Sequence, residues 1–210
     1  MRKYILTFAY LLCVLSLPAQ NSAESLLQKT LSSLEKDGGI YLVMDAKTIF
    51  DDNTEIIDLE LKMMDGCFFV QEDDNMMWYD GKTMWNGKDF GNGIEEIYIS
   101  EPTPEEKARY DVISLLGKHQ GFSVTGNGTD TFTLTASTPE RSVEGIRTIT
   151  VKVDAKSYRI KSLQIDFDQQ LGNISASVEV TEYKPAQKYD KTTFTCPVKD
   201  FKDAEVIDLR

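Results

Sequence analysis

The sequence predicts an α+β fold, one long antiparallel sheet with two short helices, and three observations carry that reading. Apolar residues recur at helical spacing over Ser22–Lys36. The cap pattern Thr103-Pro104-Glu105-Glu106 marks a second helix start. Most of the chain from Ile40 to Val180 outside these segments alternates apolar and polar residues with period two.

In the first helix Leu27, Leu31 and Leu34 recur at i, i+4 and i+7, with Leu26 and Thr30 beside them. Asn21 followed by Glu24 suits a capping box, and Gly38-Gly39 ends the helix, since glycine tolerates the left-handed residue of a helix stop. Strands follow. Ile40, Leu42, Met44 and Ala46 form one alternating set, and Ile57, Leu59, Leu61 and Met63 form the next against Asp58, Glu60 and Lys62. Asp51-Asp52-Asn53 and Asp65-Gly66 read as the turns between them. Asn75–Tyr79 and Thr83–Trp85 flank Asp80-Gly81, whose glycine supplies the positive φ of a tight hairpin.

In the middle helix Thr103 is the N-cap, Pro104 sits at N1 and Glu106 closes the capping box. Ala108, Val112 and Leu115, with Leu116 alongside, form its stripe, and Gly117 stops it. Strands resume after Gly121. Phe132, Leu134 and Ala136 alternate, as do Ile149, Val151 and Val153. Tyr158 and Ile160 are out of phase with Leu163, Ile165 and Phe167, which predicts a bulge near Ser162. Ile174, Ala176, Val178 and Val180 continue the sheet after a Gly172-Asn173 turn. No linker, repeat or low-complexity tract interrupts this order, so residues 20–210 read as a single domain.

The first nineteen residues read as a cleaved secretory signal. Arg2 and Lys3 precede the apolar run Tyr4–Leu17, and Leu17-Pro18-Ala19 offers a small residue for cleavage near Ala19. The run is short for a membrane span, though an uncleaved anchor helix is the competing reading. Cys13 lies inside the run, behind Leu12, and does not fit a lipid-modified cysteine. The expected product is a soluble exported protein of about 190 residues. Without Arg2 and Lys3 it holds 21 basic residues against 34 acidic ones, a net charge of −13. Such a polyanion is repelled by nucleic acid and by anionic membrane surfaces.

Cys67 and Cys196 remain after cleavage. An exported compartment permits a disulfide between them, and two buried thiols acting as small hydrophobes are the alternative. Catalytic patterns are sparse. There is one histidine, His119, no Gly-x-Ser-x-Gly elbow and no His-Glu-x-x-His pair. The carboxylate pairs Asp51/Asp52, Asp73/Asp74, Glu95/Glu96 and Glu105/Glu106 flank turns or a helix start, where solvated caps account for them. These patterns argue against an enzyme, and no cofactor is expected.

Three stretches carry a family resemblance. Asp80-Gly81-Lys82-Thr83-Met84-Trp85, then Ile99-Ser100-Glu101-Pro102-Thr103-Pro104-Glu105-Glu106, and the ending Glu205-Val206-Ile207-Asp208-Leu209-Arg210 together resemble the periplasmic lipoprotein-carrier (LolA-like) family. Thr193-Phe194-Thr195-Cys196-Pro197 resembles that family's "F-x-F-x-P" strand, and Leu163–Tyr183 looks like its late hairpin. The resemblance implies an incomplete, half β-barrel: a curved antiparallel sheet whose concave face is covered by the N-terminal helix and a short middle helix. It further implies a periplasmic monomer that takes acylated lipoproteins from an inner-membrane release transporter to an outer-membrane acceptor. One departure is plain. The family's early arginine-proline pair is replaced by Leu61-Lys62-Met63-Met64-Asp65-Gly66, with Lys62 on the polar phase of its strand.

On this reading the acyl cavity is lined by Leu59, Leu61, Met63, Phe68, Val70, Met77, Trp85, Ile97 and Ile99, and the lid by Leu27, Leu31, Val112, Leu115 and Leu116. Met63, Met64, Met76, Met77 and Met84 fall within 22 positions. Flexible thioethers suit an irregular alkyl ligand, though they equally fill gaps in an ordinary core. Trp78 and Trp85 are either cavity walls or core. A general hydrophobic-ligand module for lipid or peptide, without a transfer role, is the alternative function.

Overall fold

The computed structural model describes residues 22–50, 53–91, 93–103, 116, 122–136, 145–167 and 174–210. The predicted signal segment, the middle helix apart from Leu116, His119 and the Gly172-Asn173 turn lie outside them. A helix, α1, spans 22–37. Twelve strands follow: β1 (Gly39–Phe50), β2 (Asn53–Met64), β3 (Cys67–Glu72), β4 (Asn75–Tyr79), β5 (Met84–Asp89), β6 (Ile94–Ser100), β7 (Phe122–Gly126), β8 (Thr131–Ala136), β9 (Ile146–Val153), β10 (Ile160–Phe167), β11 (Ile174–Gln187) and β12 (Glu205–Asp208). Their hydrogen-bonded order is β12-β6-β5-β4-β3-β2-β1-β11-β10-β9-β8-β7, which is open at both ends. The ladders from β2 to β6 and from β7 to β10 are antiparallel, and β12 runs parallel to β6. The antiparallel sheet read from the alternation is therefore the architecture found.

The chain divides into two compact units. The first takes in the described residues of Met1–Leu34, Thr48–Thr54 and Lys118–Ser177. Its core joins one face of α1, carrying Ala23, Leu26, Leu27, Thr30 and Leu34, to the inward set Val124, Phe132, Leu134, Ile149, Val151 and Val153. The buried stripe thus centres on Leu26, Leu27 and Thr30, and the predicted Leu31 sits half-buried at its flank. Thr30 avoids an unpaired hydroxyl by donating from Oγ1 to the Leu26 carbonyl (3.0 Å). Ser33 Oγ donates to the Ser157 carbonyl (3.0 Å), tying the helix to the β9–β10 turn. At the helix start, a side chain on Gly128 (φ +68°) would meet Ser22 Oγ at 2.3 Å, so only glycine lets this turn close on the helix.

Asp154 organises the β9–β10 turn. Its Oδ1 accepts from the amides of Lys156 and Ser157 and from Ser157 Oγ (3.1, 2.9 and 3.0 Å), and Lys161 Nζ lies 3.2 Å from Oδ2. These bonds, the Ser157 amide first, hold its carboxyl far below the ordinary carboxylate range. The expected bulge appears one residue from where the phase break put it. Ile160 pairs with Val153 and Ser162 with Lys152, leaving Lys161 as the extra residue.

The second unit takes in the described residues of Glu35–Lys47, Glu55–Gly117 and Val178–Arg210. Gly39 lies so close to the Gln187 carbonyl that a Cβ would stand 2.1 Å from it, which lets β1 meet the end of β11. Thr181 Oγ1 donates to the Val43 carbonyl (3.1 Å), joining β11 to β1 by a side chain, while Tyr183 Oη donates to Asp37 Oδ2 at the end of α1 (3.0 Å) and Tyr189 Oη, just past β11, to the Ile40 carbonyl (3.3 Å). The Asp80–Thr83 connection is a four-residue loop, since Tyr79 already pairs with Met84. Asp80 Oδ1 accepts from the amides of Lys82 and Thr83 (2.9 and 2.8 Å), and Gly81 takes the positive φ of +99°.

One expectation is corrected at the C-terminal end. Thr193–Pro197 is not a strand. Lys191–Phe194 forms a 3₁₀ turn capped by Asp190, whose side chain accepts from the Thr192 amide (3.0 Å), and Val198–Asp200 forms another. Local capping by Asp190 outweighs the β-propensity of Thr-Phe-Thr and sends Phe194 and Cys196 inward, 2% and 5% exposed.

Phe132 is fully buried in the first unit, so Phe132→Ala should cost about 3–5 kcal/mol of unfolding free energy. Urea denaturation followed by far-UV circular dichroism checks this.

Candidate functional site

Directly paired residues of an antiparallel ladder share a face, so the registers of β2–β6 sort every side chain of this region. Three rows cross one face. Met63, Phe68, Tyr79, Met84 and Ser100 form the row nearest the Asp65-Gly66 and Asp80–Thr83 connections. Leu61, Val70, Met77, Asn86 and Tyr98 form the middle row. Leu59, Glu72, Asn75, Lys88 and Glu96 form the far row. Rows on one face are about 7 Å apart, two residues along each strand.

This face is graded. The near row is apolar and deep, with Phe68, Tyr79 and Met84 at 3%, 4% and 8% exposure, and the Phe68 and Tyr79 rings 5.2 Å apart. Tyr79 Oη is satisfied by donating to the Gly81 carbonyl (2.7 Å). The middle row holds buried Leu61 and half-buried Val70 and Met77 beside the carboxamide of Asn86. Asn86 Oδ1 is buried and accepts no hydrogen bond. An acceptor shut away from water without a donor costs about 1–3 kcal/mol. The far row is charged. Tyr98 Oη, on the middle row, donates to Glu96 Oε2 (2.6 Å), and Lys88 Nζ stands 5.3 Å from the Tyr98 ring centre. Glu72 is half-buried, and desolvation first, then the charges of Asp73 and Glu55, raise its pKa.

The opposite face is a closed core. Trp78, Ile97, Ile99 and Cys196 cluster there, and Phe69, Met76, Trp85, Ile94, Val198, Phe201 and Ala204 pack against them. The Trp78 ring lies 5.4 Å from Phe69 and 6.1 Å from Phe201. The chain between the two 3₁₀ turns and β12 thus covers this side of β4–β6.

The nine residues expected to line one cavity therefore divide between two faces. Leu59, Leu61, Met63, Phe68, Val70 and Met77 share the graded face. Trp85, Ile97 and Ile99 belong to the opposite core: Trp85 pairs with both Trp78 and Ile99, and Ile97 pairs with Gly87. The five clustered methionines divide as well. Met63, Met77 and Met84 sit on the graded face, while Met64 and Met76 share the phase of Trp78. The expected lining omits Tyr79 and Asn86, and names Met84 only within the methionine cluster; the register puts all three on the graded face. The register from Met77 across to Asn86 follows once the hairpin loop is counted as four residues. Of the expected lid, Leu27 is buried and Leu31 half-buried in the first unit, Leu116 is buried, and Val112 and Leu115 lie outside the described residues.

Lys62 is on the face opposite Leu61 and Met63, as its polar phase predicts. It is held there: its Nζ is 2.9 Å from Glu60 Oε1 and 5.0 Å from the Phe69 ring centre. No disulfide joins Cys67 and Cys196. Burial pushes the Cys196 thiol up to about 12, which makes it a core side chain, not a nucleophile. Among the described residues no group of three or more His, Cys, Asp or Glu side chains is placed to hold a metal, and no helix is long and apolar enough to cross a membrane. A groove of about 710 Å³ beside Phe90, Ile94 and Phe201 has carboxylates for half of its lining residues, among them Glu95 and Asp203, and offers little wall to an alkyl chain.

No family model and no curated protein matches the chain. Among solved structures it is similar to a LolA superfamily protein, NE2245 from Nitrosomonas europaea, at 10% identity over 84% of this chain and 98% of that one, with a TM-score of 0.45. It is similar to a DUF1329 family protein from Desulfovibrio piger at 5% identity over 84% and 98%, TM-score 0.45. LprF from Mycobacterium bovis matches at 14% identity over 83% and 96%, TM-score 0.42.

The raised pKa of Glu72 carries a sign. A carboxyl whose folded pKa lies above its unfolded value favours folding fully below the unfolded pKa and loses that contribution as pH rises through the folded one. Glu72→Gln should therefore raise Tm at pH 7, and the gain should vanish near pH 4. Thermal melts at the two pH values test this.

Proposed function

We propose that this protein binds the acyl chains of lipoproteins on the graded face of β2–β5 and carries them across the periplasm, from an inner-membrane release transporter towards an outer-membrane acceptor. The observation that carries this reading is the register itself. It brings Leu61, Met63, Phe68, Val70, Met77, Tyr79 and Met84 onto one continuous face with a charged row at one end. An apolar field with one polar border matches an amphiphile, whose alkyl part enters and whose head stays at the border. Each buried methylene is worth about 0.8 kcal/mol, so a long acyl chain gains on the order of 10 kcal/mol from such a surface. Methionines at three of these positions adapt to a chain without fixed shape. The net charge of −11 over the whole chain favours a protein that stays off anionic membranes between pick-up and release. The export reading of residues 1–19 and the family resemblance of the hairpin add the compartment and the cargo.

A hydrophobic-ligand module that binds lipid or peptide but transfers nothing is the second reading, because the same graded face would serve it. Release separates the two: a carrier hands its ligand to acceptor vesicles, a passive binder keeps it.

Met76 and Met77 are neighbours in sequence on opposite faces, which gives an internal control. After incubation of the purified protein with a triacylated lipopeptide, native mass spectrometry should show a one-to-one adduct. Met77→Glu should weaken it at least about tenfold, since a charge would then be desolvated by the alkyl chain. Met76→Glu, where it folds, should retain it. A mass unchanged by the lipopeptide overturns the acyl-binding reading.

A further inference from the structure

Asn86 is the one polar side chain of the middle row without an explanation in the fold. It stands between Met77 on β4 and Tyr98 on β6, in the row of Leu61 and Val70, and its Oδ1 is buried with no donor. Buried acceptors in folded proteins are almost always paired, and an apolar residue would fill a sheet position at lower cost. An unpaired acceptor between an apolar row and a charged row marks a level at which an amphiphile changes from tail to head. The groups that occur at that junction differ in what they offer. A carboxylate and an ester have no hydrogen to donate, whereas a secondary amide has an N–H.

We propose that Asn86 Oδ1 accepts a hydrogen bond from the N–H of an amide linking the alkyl chain to the head of the bound amphiphile, so that the site selects N-acyl over O-acyl ligands. This rests on the acyl-binding reading of the graded face and adds to it an orientation and a discriminating group. The alkyl chain runs from the middle row towards Met63, Phe68 and Met84. The head emerges at Glu72, Lys88 and Glu96. Discrimination arises because an ester can be met only with the carboxamide turned over, which brings two N–H donors to that buried position for one ester acceptor and leaves a donor unpaired.

Three uncharged probes of equal chain length isolate the hydrogen atom: N-hexadecanoyl-ethanolamine, its N-methyl derivative, and 2-hydroxyethyl hexadecanoate. Being neutral, they leave the acidic row out of the comparison. Isothermal titration should give the N–H amide about tenfold tighter binding than either analogue. In Asn86→Leu the three should bind alike. Asn86→Ala is read in the same way where the leucine variant does not fold. Equal binding of all three probes to the parent protein overturns the amide selection and leaves acyl binding standing. A preference that survives in both variants also overturns the role of Asn86. Binding of none of them removes the acyl-binding reading itself.

Discussion

Hydrogen-bonded pairing across β2–β6 forces each residue to the same side as its partners, so a single registration decides the fate of some thirty side chains at once. Here it is pinned at two connections. Asp65 and Gly66 both take positive φ between β2 and β3, and the Asp80 carboxylate holds the amides of Lys82 and Thr83 between β4 and β5. A slip of one residue between β4 and β5 would turn Trp85, Ile97 and Ile99 to the side of Met77 and bring Asn86 to the side of Trp78. The buried cluster of Trp78, Ile97, Ile99 and Cys196 would then lose its isoleucines. The aromatic core on one face thus fixes the identity of the other, although the two share no side chain.

This dependence explains what could be read from the sequence. Where one face is polar, alternation carries phase, and β2, β8, β9 and the bulge at Lys161 were all legible because Asp58, Glu60, Thr150 and Lys152 mark the other side. In β3, β4 and the end of β6 both faces are apolar. Cys67-Phe68-Phe69-Val70, Met76-Met77-Trp78-Tyr79 and Ile97-Tyr98-Ile99 contain no polar marker, so period two gives strands without saying which side is which. That is why Trp85, Ile97 and Ile99 were grouped with residues on the far face. The C-terminal turns escaped for a different reason. Thr193–Cys196 has strand-like composition, and the deciding interaction is a single cap by Asp190 just outside it.

Strands that are apolar on both sides need two apolar environments, and on the Trp78 side the C-terminal segment supplies one. Phe201, Val198 and Ala204 close over Trp78 and Ile97, and the Leu209 amide donates to the Ile99 carbonyl (2.8 Å), fastening the end of the chain to β6. On that side the packing is aromatic, interlocked and without an unpaired buried polar atom among the described residues. Such a surface is built to stay closed.

The other side differs in kind, not only in position. Its side chains are thioethers and aliphatics more than interlocked rings, its polarity rises along the strands, and it holds the one buried acceptor that the fold leaves unpaired among the described residues. A face meant solely for stability would gain from replacing Asn86 by an apolar residue and from moving Glu72, whose ionisation is opposed by burial, out to solvent. Both lie within one graded field, where the proposed amphiphilic ligand would meet them. Lys62, paired with Glu60 and stacked on Phe69, is tied to the other face. Among the described residues, charge enters the graded field through its far row and not from the centre of β2, which on the proposed reading sets the direction of a tail-and-head ligand.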